Sequence, residues 1–151
     1  MKTRRQARRP SRAPAVADDR CPRCGSAMRR QAGGASLPVN GERVSVPDFP
    51  HLRCPRCGEA VLSLAEAREL QRRAIERYRL KYDLLSADDI RSIRRRHDLT
   101  QGEFARLLRL GGNTVSRWES GRNVQSAAMD VLLRLIRDLP DSLRYLREHA
   151  A

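Results

Sequence analysis

Leu99-Thr100-Gln101-Gly102-Glu103-Phe104-Ala105-Arg106-Leu107-Leu108 is followed by Arg109-Leu110-Gly111-Gly112 and then by Asn113-Thr114-Val115-Ser116-Arg117-Trp118-Glu119-Ser120-Gly121. In the first segment Phe104, Leu107 and Leu108 recur at helical spacing. Thr100 stands where a hydroxyl caps free amides, and Ala105 is small enough for a second helix to approach. A glycine-containing turn separates this segment from a second short helix, which is the pattern of a helix-turn-helix. On the second helix Val115 and Trp118 point to one side, which makes Trp118 a core residue, while Asn113, Ser116 and Arg117 point to the other. That exposed side carries base-reading chemistry, since Arg donates a bidentate pair to guanine and Asn pairs with the major-groove edge of adenine. The candidate DNA-contacting residues are therefore Asn113, Thr114, Ser116 and Arg117, with Gln101 placed to reach a phosphate.

Further helices flank this pair. Ser86 precedes Asp88 and Asp89, carboxylates suited to the positive end of a helix, and Ile90 and Ile93 form its buried stripe. Apolar spacing resumes over about 126–139, Pro140 forces a break, and a short segment continues to about 149. Residues 84–151 thus read as a five-helix domain without strands. Upstream, Leu64, Ala67, Leu70, Ala74, Ile75 and Tyr78 predict a linker helix of about 64–80 within segment 63–83.

All four cysteines fall within 19–62, as Cys21-Pro22-Arg23-Cys24-Gly25 and Cys54-Pro55-Arg56-Cys57-Gly58. The two-residue gap lets both thiolates of a pair converge on one ion, and the following glycine permits the tight turn. Four thiolates complete a tetrahedral shell with no open position, so Cys21, Cys24, Cys54 and Cys57 predict one structural Zn²⁺. Disulfides and thioredoxin-like redox chemistry are the alternatives, disfavoured by a cytosolic setting and by two such elements without a βαβ context. His51 reads as a solvated loop residue beside this complete donor set. Between the pairs, Asn40-Gly41 separates strand-like residues, with Val44 and Val46 alternating cleanly, and predicts a β-hairpin. Metal binding can fold such a small module, so chelation is expected to unfold residues 20–62 while the C-terminal helices stay cooperative.

Lys and Arg total 31 against 18 Asp and Glu in 151 residues, a formal charge of +13 that favours a polyanionic partner. With aromatic residues at 4%, stacking on single strands is poorly supported, and duplex DNA fits better. Residues 1–18 read as a disordered basic arm, with six basic residues and no acid between Lys2 and Arg12. No apolar run is long enough to span a bilayer, and the N-terminus lacks the apolar stretch of a secretory signal, so a cytoplasmic location without membrane contact is expected. No coupled nucleophile and base, phosphate-cradling loop or open metal site points to an enzyme.

Taken together, the paired cysteine elements, Glu59-Ala60-Val61-Leu62, Leu99-Thr100-Gln101 and Asn113 to Glu119 resemble the MqsA family of antitoxins, zinc-finger proteins of the YgiT type with an XRE-type helix-turn-helix. The resemblance implies a mainly α protein in which a small zinc module with a β-hairpin docks a cognate toxin, usually an RNA-cleaving enzyme. It also implies a C-terminal domain that dimerises and represses its own operon. The family's base-reading residues would fall on Asn113 and Arg117, and its helix-anchoring ion pair on Arg94 and Glu119. Asp98 and Arg109 depart from the pattern, which usually has glycine at both positions, and Gly111 and Gly112 are expected to supply the missing flexibility. A homodimer through Val131, Leu132, Leu135, Ile136, Leu139, Leu143 and Leu146 would bind a pseudo-palindromic operator. The competing readings are a stand-alone zinc-containing helix-turn-helix transcription factor and a zinc-ribbon RNA-binding protein.

Overall fold

A computed structural model describes residues 20–139 and 141–149. The basic arm expected over 1–18 and the break expected at Pro140 lie outside the described residues. Three strands, β1 (Arg29–Val39), β2 (Glu42–Arg53) and β3 (Ala60–Val61), precede six helices: α1 (Leu64–Lys81), α2 (Ala87–Arg96), α3 (Gln101–Leu107), α4 (Thr114–Glu119), α5 (Ala127–Asp138) and α6 (Ser142–His149). The chain is mainly α with a small β module, as the sequence led us to expect.

Side-chain caps start most of these helices. Ser63, Ser86 and Thr100 each accept from the amide three residues on, and Glu66, Asp89 and Glu103 reach back to the corresponding cap amide. Ser126 accepts from the Met129 amide at the start of α5.

The sheet is larger than the hairpin expected from its sequence. Its order is β1-β2-β3, all antiparallel, with Asn40 (φ 48°) and Gly41 (φ 82°) forming the two-residue turn. Leu37, Val39, Val44 and Val46 supply the readable alternation. Beyond them Ala35 pairs with Val46 and Gly33 with Phe49, so Pro47 and Asp48 face only Gly34. This bulge turns the strand over and brings Phe49 into the core that holds Val44 and Val46. Pro47 has no N–H to donate and suits an unpaired position. Because β2 runs on to Arg53, His51 is not the solvated loop residue expected. It is buried in the strand, with Nδ1 2.8 Å from the Phe49 carbonyl oxygen.

Helix α1 packs on both halves of the molecule. Leu70, Ala74 and Ile75 share a core with Val39, Val44, Val46 and Phe49 of the sheet and with Val124, which follows α4. A second core gathers Leu85, Ile90, Ile93, Phe104, Ala105, Leu108, Val115, Trp118, Leu133, Ile136 and Leu143 from the five C-terminal helices and the residues that flank α2 and α3. Ile136 and Leu143, assigned from sequence to a dimer contact, are thus buried within one chain. Val131, Leu135 and Leu139 remain 58%, 44% and 53% exposed.

The turns around α3 correct one further expectation. Asp98 and Arg109 adopt the left-handed conformation themselves, at φ 56° and 54°, while Gly111 and Gly112 stay at ordinary φ. The non-glycine residues carry the turn, and the Arg109 guanidinium donates to the His149 carbonyl oxygen (3.1 Å). Among the described residues no helix is long and apolar enough to cross a membrane.

Candidate functional site

The two cysteine elements fold alike. The Gly25 amide donates to the Cys21 carbonyl (2.8 Å) and the Gly58 amide to that of Cys54 (3.0 Å), while the Cys21 and Cys54 amides donate to the Ser26 and Glu59 carbonyls (both 2.8 Å). Gly25 (φ 70°) and Gly58 (φ 76°) make this turn possible, since a Cβ disfavours that conformation. The hairpin joins the turns at one end of the sheet, where Cys21 and Cys54 are buried with Met28 and Leu52.

All four Sγ atoms lie within 4.8 Å of one another, and Cys21–Cys57 and Cys24–Cys54 are each 3.5 Å apart. Four sulfurs about 2.3 Å from one tetrahedral ion would be separated by about 3.8 Å, so the donor set fits a metal of that kind. Crowding also splits the acidities of the thiols. Hydrogen bonds from the Ser26 hydroxyl and amide lower Cys24 to about 6. The Glu59 amide pulls Cys57 down, but burial and crowding by Cys21, Cys24 and Cys54 outweigh it and push that thiol up to about 12. Four sulfurs this close cannot all ionise without a cation among them. The cluster could therefore hold a metal ion.

At the other candidate site, Val115, Trp118 and Glu119 of α4 are buried, whereas Asn113 and Arg117 are exposed and Thr114 and Ser116 half-buried. Trp118 is in the core, as its partnership with Val115 predicts. Among the described residues the Arg117 guanidinium has no hydrogen-bond partner, and the Asn113 side chain makes no cap bond. Of the residues singled out in the sequence, Asn113 and Arg117 thus stand exposed at the start and the solvent side of α4, with Thr114 and Ser116 half-covered beside them.

Glu119 anchors that helix from behind. Arg94 donates through Nε to Oε1 (2.7 Å) and through Nη2 to Oε2 (3.0 Å), the bidentate pair implied by the family resemblance. Arg91 donates to the Glu119 carbonyl (2.7 Å). Burial pushes the Glu119 carboxyl up, but hydrogen bonds from Arg94 and Gln101, reinforced by the charges of Arg94 and Arg91, hold it below its ordinary value. The Gln101 bond, Nε2 to Glu119 Oε2 at 2.7 Å, gives that side chain an internal partner which the sequence did not suggest.

Three buried polar residues also escaped the sequence reading. Asp130 accepts from the Leu85 amide (2.7 Å), Gln125 Nε2 (3.0 Å) and Arg134 Nε (2.7 Å), tying α5 to the start of the C-terminal domain. Arg79 is buried against Gln125 and the end of α4. Its one sequence signal is its place four residues after Ile75, on the apolar stripe of α1.

Two curated relatives are antitoxins. Antitoxin HigA-2 of Vibrio cholerae serotype O1 is 38% identical over 64 residues, 42% of this chain and 62% of the relative. Antitoxin PezA of Streptococcus pneumoniae serotype 4 is 42% identical over 45 residues, 29% of this chain and 28% of the relative. The chain therefore spans less than two thirds of either protein. A much longer match is to the sequence profile of a family described as "Antitoxin component of bacterial toxin-antitoxin system, MqsA", over residues 15–147. Because that match runs from before the first cysteine pair into α6, the chain belongs to the MqsA antitoxin family.

Proposed function

We propose that this chain is the DNA-binding antitoxin of a toxin–antitoxin pair, in which α4 reads an operator in the major groove and the cysteine module, holding one structural Zn²⁺, docks the toxin. The observation that carries the DNA-reading half is the exposure of Asn113 and Arg117, flanked by half-buried Thr114 and Ser116, at the cap and on the outer side of a helix locked from behind by Arg94 and Glu119. Asn113 and Arg117 read base edges and Thr114 and Ser116 contact the groove wall, while the Gln101 amide, expected from sequence at a phosphate, is instead held by Glu119 behind the reading helix. Cys21, Cys24, Cys54 and Cys57 would hold the Zn²⁺, which would crosslink the two cysteine turns in a structural role. Toxin docking rests on family membership and on the two antitoxin relatives.

Arg117→Ala decides the reading-face assignment. It is expected to weaken binding to the operator by about 1–3 kcal/mol and binding to a scrambled duplex hardly at all. Deletion of residues 2–12 should instead weaken both and make the slope of log affinity against log salt shallower by about 0.9 per lost phosphate contact. Equal losses on both duplexes for Arg117→Ala in a fluorescence-anisotropy titration would remove α4 from its assigned role.

The same reading includes a homodimer through the C-terminal helices. Val131, Leu135 and Leu139 are spaced by four residues along one face of α5 and its cap, and all three are exposed. Such a dimer would place two α4 helices on successive major grooves of a pseudo-palindrome. Leu135→Asp should therefore yield a folded monomer by light scattering at micromolar concentration and abolish two-fold symmetry in the footprint. A wild-type protein that is already monomeric under those conditions would refute the dimer.

A further inference from the structure

Helix α1 leaves the sheet and passes behind the end of α4. Arg79, in its last turn, is 4% exposed. Its guanidinium forms no salt bridge among the described residues, and all its hydrogen bonds go to neutral oxygens. Nε donates to Gln125 Oε1 (3.2 Å), and Nη2 to the Trp118 carbonyl (3.0 Å) and the Asn123 carbonyl (3.4 Å). Burial pulls this group below its ordinary value, a cost partly offset by the more distant charges of Glu76, Asp130 and Asp89. A desolvated guanidinium without a carboxylate persists only where its acceptors are held in place, and here two of the three are backbone carbonyls that close a helix and its following turn, the third being the buried Gln125 side chain.

Three neighbours lie along the same contact. The Gln71 amide donates to the Arg122 carbonyl (3.1 Å). Val124 is buried among Leu70, Ala74 and Ile75. Gly121 (φ 66°) sits against Arg72 so closely that an added Cβ would lie 2.9 Å from Arg72 Cγ. From Leu70 to Arg79, more than two turns of α1 face the segment 118–125, and the same helix covers the sheet.

We propose that Arg79 is a positioning residue for the DNA-reading helix: it clamps the C-terminal end of α4 to α1, so that the turn end of the sheet, which shares its core with α1, and the reading face move as one body. This rests on the DNA-reading role of α4 proposed above. Arg79 itself touches no DNA in this arrangement. It governs which way Asn113 and Arg117 point, and it does so from the side of the molecule that carries the sheet.

The test uses the full-length protein with zinc bound and a duplex selected by the wild type from a random-sequence library, beside a scrambled duplex. In Arg79→Met, which keeps the apolar stem, the preference for the selected duplex should fall about tenfold while binding to the scrambled one stays constant. Hydrogen exchange at the amides of 118–123 should quicken at least tenfold, with those of 104–108 unchanged. Arg79→Lys keeps charge and approximate length but cannot span the three acceptors as a planar fork, and should fall between wild type and Arg79→Met. If Arg79→Met does not fold, Arg79→Lys carries the test by the same two readouts. A folded variant with wild-type preference and wild-type exchange at 118–123 overturns the clamp, provided that Arg117→Ala has lost the preference. If the wild type selects no duplex, or Arg117→Ala retains full preference, the DNA-reading role fails first and the clamp's purpose with it.

Discussion

Replacement of Cys54 by serine is expected to unfold the cysteine end of the sheet and to leave the C-terminal helices standing. Binding of a structural zinc contributes on the order of 10 kcal/mol, and the small core of Cys21, Met28, Leu52 and Cys54 has little else to hold it. The sequence by itself suggested that the whole of 20–62 would be lost with the metal. The structure divides that segment, because Val39, Val44, Val46 and Phe49 at the turn end belong to the core shared with α1. Without its fourth thiolate the protein should bind zinc more weakly by orders of magnitude in competition with a chromogenic chelator. Amides of 20–32 and 50–61 should lose protection from exchange, while those of 90–93, 104–108 and 133–136 keep it. A single cooperative loss across the chain would show that the cysteine turns and the helices are one folding unit. No loss at all would show that the turns need no metal.

The second large effect is expected at Glu119. Its side chain is 2% exposed and that of Arg94 11%, so Glu119→Ala would leave a largely covered guanidinium with only the Leu99 carbonyl and strand the Gln101 amide. Breaking a buried pair from one side costs about 3–5 kcal/mol, a large share of the 5–15 kcal/mol typical of a domain. Urea unfolding should show a midpoint lowered accordingly with an unchanged slope. Arg94→Ala should cost less, because Glu119 retains Gln101 and the charge of Arg91 (Nε to Oε2, 3.7 Å). The pH dependence follows from the lowered carboxyl. Glu119 titrates below its ordinary 4.5, so its contribution is complete above that pH and is lost as pH falls through the folded value. Glu119→Gln should accordingly be less stable at neutral pH and show a flatter acid limb than the wild type. An unchanged acid limb would exclude Glu119 as a determinant of acid stability.

Local patterns were legible in the sequence because each depends on neighbours a few residues away. The paired cysteine turns need only their own glycines, the helix starts at Ser86 and Thr100 only their caps, and the buried and exposed sides of α4 only helical spacing. The left-handed turn at Asp98 was legible as an anomaly, a non-glycine residue at a position where glycine is usual, although not as the conformation it takes.

What tertiary structure alone decided are the features that depend on register and on distant partners. The bulge at Pro47 and Asp48 reverses the alternation of β2, so that Phe49 joins Val44 and Val46 although its position in the sequence assigns it to the other face. Two-residue strand β3 is too short to carry a period, and His51 is buried only because the strand continues past it. Which leucines of α5 and α6 are core and which are exposed follows from how the helices cross, since the apolar stripe is wider than the core they close. Arg79 shows the difference most plainly. In sequence it is one of many arginines on a basic helix, and its acceptors lie 39 to 46 residues away, at the end of α4, in the turn that follows and on Gln125. Helical periodicity can place such a residue on a face, but only the packing of α1 against that turn decides that the face is buried and that the charge is held there by carbonyls.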